Sequence, residues 1–263
     1  MVELLYFSLT KFRVFIMDKI ISKNSSKFKL LKKLDYSKYR IREKCFKVEG
    51  LKFLSLSVEP REVFISERFA KSKSFNRLKN KNVTIISDDL FGQLSGQVTS
   101  QGVISIFDFK DPQNVNNNSI IVLDEIRDPG NLGTILRTAE FFGFKDIVKI
   151  GNVVDQYNPK VVRASMGAVV NLNFLHFNKE DCFKFLRDRG YTIVSSVVDG
   201  YDLELQSFKE KGKYALILGN ESRGVSDYCI KNCDIRLGIS RKGRENSLNV
   251  AVAAAIMISS LSS

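Results

Sequence analysis

Residues 119–139 read SIIVLDEIRDPGNLGTILRTA, and this stretch decides the fold of the second half of the chain. Its first seven residues, 119–125, are a short apolar run that ends at turn residues, which predicts a buried strand. The loop Arg127–Gly133 carries Pro129 and two glycines, and a helical pattern of apolar residues then spans Asn131–Phe142. A strand that leads directly into a helix is the repeating unit of an α/β fold with a parallel sheet.

Strands and helices continue to alternate after this unit, so we predict a mostly parallel sheet with helices on both faces. The predicted strands are 119–125, 146–150, 172–177, 192–198, 214–218 and 235–239, and the predicted helices are 131–142, 159–166, 180–188, 226–232 and 247–258. Ligands of such sheets bind beyond the carboxyl ends of the strands. We therefore expect a site in the loops that follow Glu125, Leu218 and Ile239.

The first half of the chain is predicted to be a smaller α/β domain. Its predicted helices are 27–34 and 49–56, and its predicted strands are 63–65, 83–86 and 102–106. Residues 109–118 contain Pro112 and an asparagine cluster that no apolar period crosses, which is typical of a linker. The predicted domains are thus 1–108 and 119–263. Residues 1–17 form an N-terminal extension, and Met17 is an alternative start.

The extension is too short and too charged to cross a membrane, since it carries Glu3, Lys11 and Arg13 and a bilayer helix needs about 20 mostly apolar residues. Four cysteines and one histidine cannot form a disulfide scaffold. The one close pair, Cys229 and Cys233, has no further zinc ligand beside it. We expect a reduced, cytoplasmic protein without a structural metal.

Positive charge is concentrated in the first half of the 263-residue chain, whose formal net charge is +12. Residues 1–110 hold 22 Lys and Arg against 11 Asp and Glu, whereas the remaining residues hold 19 against 18. Residues 19–52 alone hold 12 basic and 3 acidic residues. One such run is often only a solvated helix face, but a basic half beside a neutral half indicates contact with the phosphates of a nucleic acid.

Each of the three expected loops carries unusual residues. The first loop has Asp128, Pro129, Asn131 and Gly133, and Arg137 follows on the helix. The second, GNESRG at 219–224, follows the strand that ends at Leu218. A glycine-rich turn after a strand is by itself a weak signal, and this one lacks the Gly-Lys-Ser/Thr of a P-loop. In the third, Asn246 or Ser247 is a candidate N-cap of the last helix, which begins SLNV at 247–250.

Together these motifs resemble those of the SpoU (TrmH-like) branch of the SPOUT superfamily of RNA methyltransferases. The family's Asp-Pro-x-Asn-x-Gly run with its helical Arg, its Arg-Ala-Ser-x-Gly segment, its Leu-Gly-x-Glu motif and its Ser-Leu-Asn-Val motif match residues of this chain in the same order. The matching residues are Asp128–Gly133 with Arg137, Arg163–Gly167, Leu218–Gly224 and Ser247–Val250. Through the weaker marks Ser22–Asn24, Arg42, Val48–Gly50 and Gln101–Val103, the first half resembles the L30e-like substrate-binding domain that often precedes this catalytic domain.

The resemblance implies a trefoil-knotted domain that works as a homodimer and transfers methyl from S-adenosylmethionine to a ribose 2′-hydroxyl of RNA. Knots are otherwise very improbable, so only the resemblance supports one. The implied catalytic residues are Arg137, Asn131, Glu221, Ser247 and Asn249, and the implied cofactor-binding residues are Gly219, Ile239 and Leu248. In the basic run, the candidate RNA-binding residues are Lys23, Lys27, Arg40 and Arg42.

The resemblance gives Arg137 the role of taking the hydroxyl proton. A guanidinium is a poor base, so an alternative role is to bind phosphate and stabilise the forming alkoxide. The third motif departs from the family, because Ser240 stands where a proline is common and Asn246 where an acidic residue often precedes the serine. Loss of the proline is expected to loosen the loop around the cofactor and to affect cofactor affinity more than the reaction.

The two-domain organisation resembles ribosomal RNA enzymes, which favours large-subunit (23S-type) ribosomal RNA as substrate over tRNA; DNA and membranes are not expected partners. One alternative function is a non-catalytic RNA-binding or ribosome-assembly protein that kept the fold. Another is a SPOUT enzyme that methylates a base instead of a ribose.

Overall fold

The computed structural model describes residues 15–20, 22–55, 58–78, 81–97, 99–208 and 212–262. It divides into two compact units, residues 1–109 and residues 110–263. Most of the predicted N-terminal extension, residues 1–14, lies outside the described residues. No helix of the described part is both long enough and apolar enough to span a bilayer.

The first unit is a mixed sheet flanked by short helices. Its elements are β1 Phe15–Ile20, α1 Ser26–Lys33, α2 Ser37–Glu43, β2 Cys45–Glu49, β3 Glu62–Ser66, α3 Glu67–Ala70, β4 Asn82–Ile86, α4 Asp88–Gly92 and β5 Val103–Asp108. The strand order is β1-β4-β3-β5-β2. β4 pairs in parallel with β1 and β3, whereas β5 pairs antiparallel with β2 and β3.

The predicted helix over 49–56 is wrong. Residues up to Glu49 form strand β2, in which Cys45, Phe46 and Val48 are buried, and Leu51–Ser55 form only a 3-10 turn. Gly50 separates the two at φ +133, a backbone conformation that an α-helix does not contain.

The second unit is a seven-stranded sheet in which every described strand pair is parallel. Its elements are β6 Ser119–Asp124, α5 Pro129–Phe141, β7 Asp146–Ile150, α6 Pro159–Ala164, β8 Asn173–Phe177, α7 Lys179–Asp188, β9 Thr192–Val197, β10 Leu203–Glu204, β11 Tyr214–Leu218, α8 Asp227–Asn232, β12 Ile235–Gly238 and α9 Val250–Leu261. The predicted α/β class with a mostly parallel sheet is confirmed, while the trefoil knot stays a prediction.

Helices cover both faces of this sheet, as the apolar strands predict. Ile121 and Leu123 of β6 pack with α5, α6 and α9, whereas Ile120 and Val122 pack with α7 and α8. Gly133 lets α5 approach α6 closely, because a Cβ there would lie 2.9 Å from the Ser165 amide nitrogen.

The position of the candidate site follows from the order of the strands in the sheet, which is β10-β12-β9-β11-β6-β7-β8. β6 and β11 are neighbours. From β6 the chain passes to β7 and β8 on one side and then crosses to the other side, where β9, β10 and β12 lie beyond β11. Such a reversal of strand order opens a crevice beyond the carboxyl ends of the two central strands. Two of the three expected loops therefore start side by side.

The segment 110–118 has no helix or strand but is fastened to the second unit. The amide of Gln113 donates to the Asn173 side chain at 2.7 Å, and the Asn117 side chain donates to Asp146. The carbonyl oxygen of Asn117 also accepts from the Tyr191 hydroxyl.

Candidate active site

A hydrogen-bonded chain of three side chains joins the loops after β6, β11 and β12. The Asn131 side chain donates to the Glu221 carboxylate at 3.2 Å and accepts from the Asn249 side chain at 3.0 Å. Asn131, Glu221 and Asn249 are far apart in sequence, so the fold assembles them. The structure thus brings together three of the five residues that the sequence assigns to catalysis.

Glu221 holds the first loop in place. Its carboxylate accepts from the amides of Asp128 at 2.9 Å and Arg127 at 3.3 Å, in addition to Asn131. Partial burial acts to raise the pKa of Glu221, but the hydrogen bonds from Asp128, Asn131 and Arg127 outweigh it, and the pKa is lowered. Glu221 is therefore already ionised at neutral pH. Its carboxylate holds backbone amides in place and has no proton to donate as a general acid.

Helix α5 begins two residues earlier than the sequence suggests, and Asp128 caps it. The Asp128 carboxylate accepts from the Asn131 amide at 2.8 Å, and Pro129 occupies the first turn, where its missing N–H costs nothing. The side chain of Asn131 is thereby left free of the capping role and available to Glu221 and Asn249.

The N-cap of the last helix is Asn249, so the expectation of Asn246 or Ser247 is wrong. α9 begins at Val250, and the Asn249 side-chain oxygen accepts from the amides of Ala251 at 2.9 Å and Val252 at 3.4 Å. Ser247 and Leu248 precede the cap and are exposed. One asparagine therefore both starts α9 and contacts the first loop.

Asn220 is a site residue that the sequence analysis missed. Its side-chain amide donates to the Glu125 carbonyl at 2.8 Å, and its side-chain oxygen accepts from the amides of Ser222 and Arg223. Glu125 lies at φ +58, a conformation uncommon outside glycine, so this bond holds an unusual turn. The sequence contains a signal for this role, because an Asn in a Gly-containing turn, here GNESRG at 219–224, is typical of side-chain-to-backbone hydrogen bonding.

The predicted cofactor positions lie around the same crevice. Gly219 is buried at the end of β11, and a Cβ there would lie 2.5 Å from the Gly224 carbonyl oxygen, so the turn admits only glycine. Ile239 is half-buried against the core beneath α5 and α9. Beside it, the Ser240 hydroxyl is buried and has no hydrogen-bond partner among the described residues. A buried hydroxyl without a partner is costly, which favours a polar ligand there.

Arg137 is not part of the hydrogen-bonded chain. It is exposed on α5, almost two turns after Asn131. Exposed cations also occupy the third loop at Arg241, Lys242 and Arg244.

Of the four candidate RNA-binding residues in the first unit, Arg40 is a wrong prediction. It is 2% exposed, and its guanidinium donates to the carbonyls of Leu34 and Asp35 at 2.9 Å each. The Lys27 ammonium is also held inside the chain, by Glu62 at 2.5 Å and Thr84 at 3.0 Å. Lys23 and Arg42 are exposed.

Comparison with known proteins matches both units. The model of the SpoU rRNA Methylase family matches residues 118–259, and that of the MRM3-like substrate binding domain matches residues 25–105. A 23S rRNA (guanosine(2553)-2′-O)-methyltransferase, RlmP of Bacillus subtilis, is 26% identical over 92% of this chain and 98% of its own. An uncharacterised tRNA/rRNA methyltransferase of Borreliella burgdorferi is 33% identical over 68% of this chain and 72% of its own.

The fold is also similar to solved structures. An AdoMet-bound rRNA methyltransferase from Sinorhizobium meliloti is 25% identical, with a TM-score of 0.80 over 92% of this chain and 96% of that one. The chain belongs to the SpoU rRNA methylase family.

Proposed function

We propose that this chain transfers a methyl group from S-adenosylmethionine to a ribose 2′-hydroxyl of RNA, in the cytoplasm. The observation that carries the proposal is the series of hydrogen bonds between the Glu221, Asn131 and Asn249 side chains. These bonds join the three motif loops beyond the carboxyl ends of β6, β11 and β12. A non-catalytic descendant would have no need to keep these polar contacts together with Arg137.

The residues present fit the cofactor. Gly219, Ile239 and Leu248 would hold it, largely through backbone groups, and the unpartnered hydroxyl of Ser240 offers it a further hydrogen bond. When bound, S-adenosylmethionine supplies an electrophilic methyl group. The protein then needs little covalent chemistry, because placing the hydroxyl in line with the methyl supplies much of the rate.

As the ribose 2′-oxygen forms its bond to the methyl group and the methyl–sulfur bond of the cofactor breaks, the hydroxyl proton leaves to solvent, and we assign to Arg137 the stabilisation of the charge on that oxygen. A cation on the exposed face of α5 stabilises negative charge that develops on the ribose oxygen and binds a neighbouring phosphate. Asn131, Glu221, Ser247 and Asn249 position the ribose and the cofactor. Arg241, Lys242 and Arg244 add attraction for the RNA backbone at the rim.

The site is completed by a second copy of the chain. Phe141 of α5 is 79% exposed, and Val252 and Ile256 of α9 are 49% and 40% exposed. Helices α5 and α9 pack against each other, so these apolar side chains are carried by two adjoining helices that a homodimer would cover. In that dimer Arg137 reaches the rim of the partner's crevice.

Large-subunit (23S-type) ribosomal RNA is the substrate that the two-unit organisation and the Bacillus relative favour over tRNA. The test is to incubate the purified protein and methyl-labelled cofactor with total RNA from a strain that lacks the gene. We expect one 2′-O-methylated nucleotide in large-subunit ribosomal RNA. Label in tRNA would refute the substrate, and label on a base would refute the reaction.

A thermal shift with S-adenosylmethionine separates the enzyme from a non-catalytic RNA-binding protein. A ligand that binds the folded state raises the melting temperature by mass action. We expect such a rise; no rise at saturating cofactor would favour the non-catalytic function.

A further inference from the structure

The corner between α1 and α2 presents an aromatic and basic surface that the active site does not use. Tyr36 stands at the start of α2 and is 65% exposed, and Ile41 on the same helix is also 65% exposed. Within residues 26–44 there are eight basic and two acidic residues. We call this surface, Lys33–Arg42, the α2 surface.

Buried Arg40 fixes the shape of this corner. Its guanidinium donates to the Leu34 and Asp35 carbonyls, which lie directly before Tyr36. A charged group that is almost fully buried and bonded to carbonyls stays in one geometry. The backbone that carries Tyr36 is therefore held in place before any ligand arrives, which lowers the entropy cost of binding.

Cations surround the neighbouring ring, Tyr39. The ammonium groups of Lys33 and Lys38 lie 5.3 and 5.0 Å from its centroid, and the Arg42 guanidinium lies 5.0 Å away. The rings of Tyr36 and Tyr39 meet edge to face at 6.5 Å. One ring thus gathers positive charge while the other leaves its surface open to solvent.

We propose that the α2 surface is a stacking platform for an unpaired base of RNA, with Tyr36 beneath the base and Lys33, Lys38 and Arg42 on the adjoining phosphates. This inference rests on the proposed function in taking RNA as the ligand. An exposed aromatic ring among cations is what single-stranded nucleic acid needs. A duplex offers no free base face to such a ring, and the excess of positive charge favours a polyanion over a protein ligand.

The test compares full-length Tyr36→Ala, Tyr36→Phe and wild type for binding of a fluorescein-labelled, mixed-sequence unpaired RNA, and of the duplex that it forms with its complement, without methyl donor. We expect Tyr36→Ala to weaken binding of the unpaired RNA about 5- to 30-fold and Tyr36→Phe to stay within about twofold of wild type. Duplex binding should be unchanged in both. Unchanged melting temperatures establish that the variants fold.

A second comparison tests the charges. The triple variant K33Q/K38Q/R42Q should reduce the salt dependence of unpaired-RNA binding by about 2 in log–log slope. The control R68Q/K71Q/K73Q removes the same charge from exposed positions elsewhere in the unit, and its slope should match wild type.

Equal affinity of Tyr36→Ala and wild type for the unpaired RNA would overturn the proposal and leave the surface to a protein ligand. Equal weakening of duplex binding would also overturn it. Because the assay contains no methyl donor, it is independent of catalysis. If Tyr36→Ala weakens binding of the unpaired RNA but the wild type methylates no RNA, the stacking platform is supported and the proposed function is refuted. If the wild type methylates RNA but Tyr36→Ala binds the unpaired RNA normally, only the stacking platform is refuted.

Discussion

Replacing Glu221 by glutamine should loosen the first motif loop and weaken cofactor binding. One carboxylate oxygen accepts from the Asp128 amide and the Asn131 side chain, and the other accepts from the Arg127 amide and the Asn220 side chain. A glutamine has only one acceptor oxygen, so one pair of donors would face its NH₂ group. Two lost bonds cost about 0.5–1.5 kcal/mol each, and partial exposure favours the lower end.

The total of about 1–2 kcal/mol translates into a change of affinity. A cofactor that needs the ordered loop must supply this free energy on binding, and 1.4 kcal/mol is about tenfold in Kd. We expect isothermal titration calorimetry to give a Kd for S-adenosylmethionine about 5- to 30-fold above that of wild type. The melting temperature should also fall.

The matched control is Glu140→Gln on helix α5. Glu140 accepts one hydrogen bond, from the Asn171 side chain at 2.9 Å, and a glutamine oxygen keeps it. This variant should bind cofactor as wild type does. A Kd for Glu221→Gln within twofold of wild type, or an equal weakening in Glu140→Gln, would show that the Glu221 carboxylate does not order the loop for the cofactor.

Four further predictions follow from the same geometry. Arg137→Ala should lower methyl transfer at least about 100-fold with an unchanged melting temperature, and retained transfer would exclude both roles assigned to Arg137. Asn249→Ala should cost about 1 kcal/mol of stability through the lost cap and also weaken cofactor binding, whereas Asn178→Ala, which removes the cap of α7, should cost stability alone by denaturant unfolding. Gly219→Ala should destabilise the fold by about 3 kcal/mol, because its Cβ meets backbone that cannot move aside; wild-type stability in denaturant would contradict that geometry. The pKa of Glu221 is lowered in the folded state, so its contribution to stability is fully present above the unfolded carboxyl pKa of about 4.3 and is lost as pH falls through the folded value. The free energy of unfolding should therefore fall less steeply with acid in Glu221→Gln than in wild type.

The sequence is most informative where one short segment carries both an apolar run and its turn residues. The run 119–125 is followed by Asp128 and Pro129, which start a helix, and the structure has β6 over Ser119–Asp124 and α5 from Pro129 onward. Parallel strands end at one edge of the sheet, so the convergence of the motif loops also follows from the alternation of strands and helices.

The errors occur where a long-range contact decides. Arg40 lies in a basic run that suggests exposure, but the carbonyls at the end of α1 bury it. Gly50 interrupts a helical pattern with a backbone angle that composition does not reveal. Similarly, the N-cap of α9 is Asn249, and not Asn246 or Ser247. The Asn249 side chain also donates to Asn131 across the crevice, a contact that the local sequence does not reveal. The catalytic roles of the motif residues remain predictions.

A crystal structure of the full chain with S-adenosylmethionine would show directly whether the motif loops form the cofactor site. We expect the cofactor in the crevice beyond β6 and β11, against Gly219, Ile239 and Leu248, with the partner's Arg137 at its rim. A cofactor bound elsewhere, or a crevice from which Arg137 of both copies is remote, would contradict it.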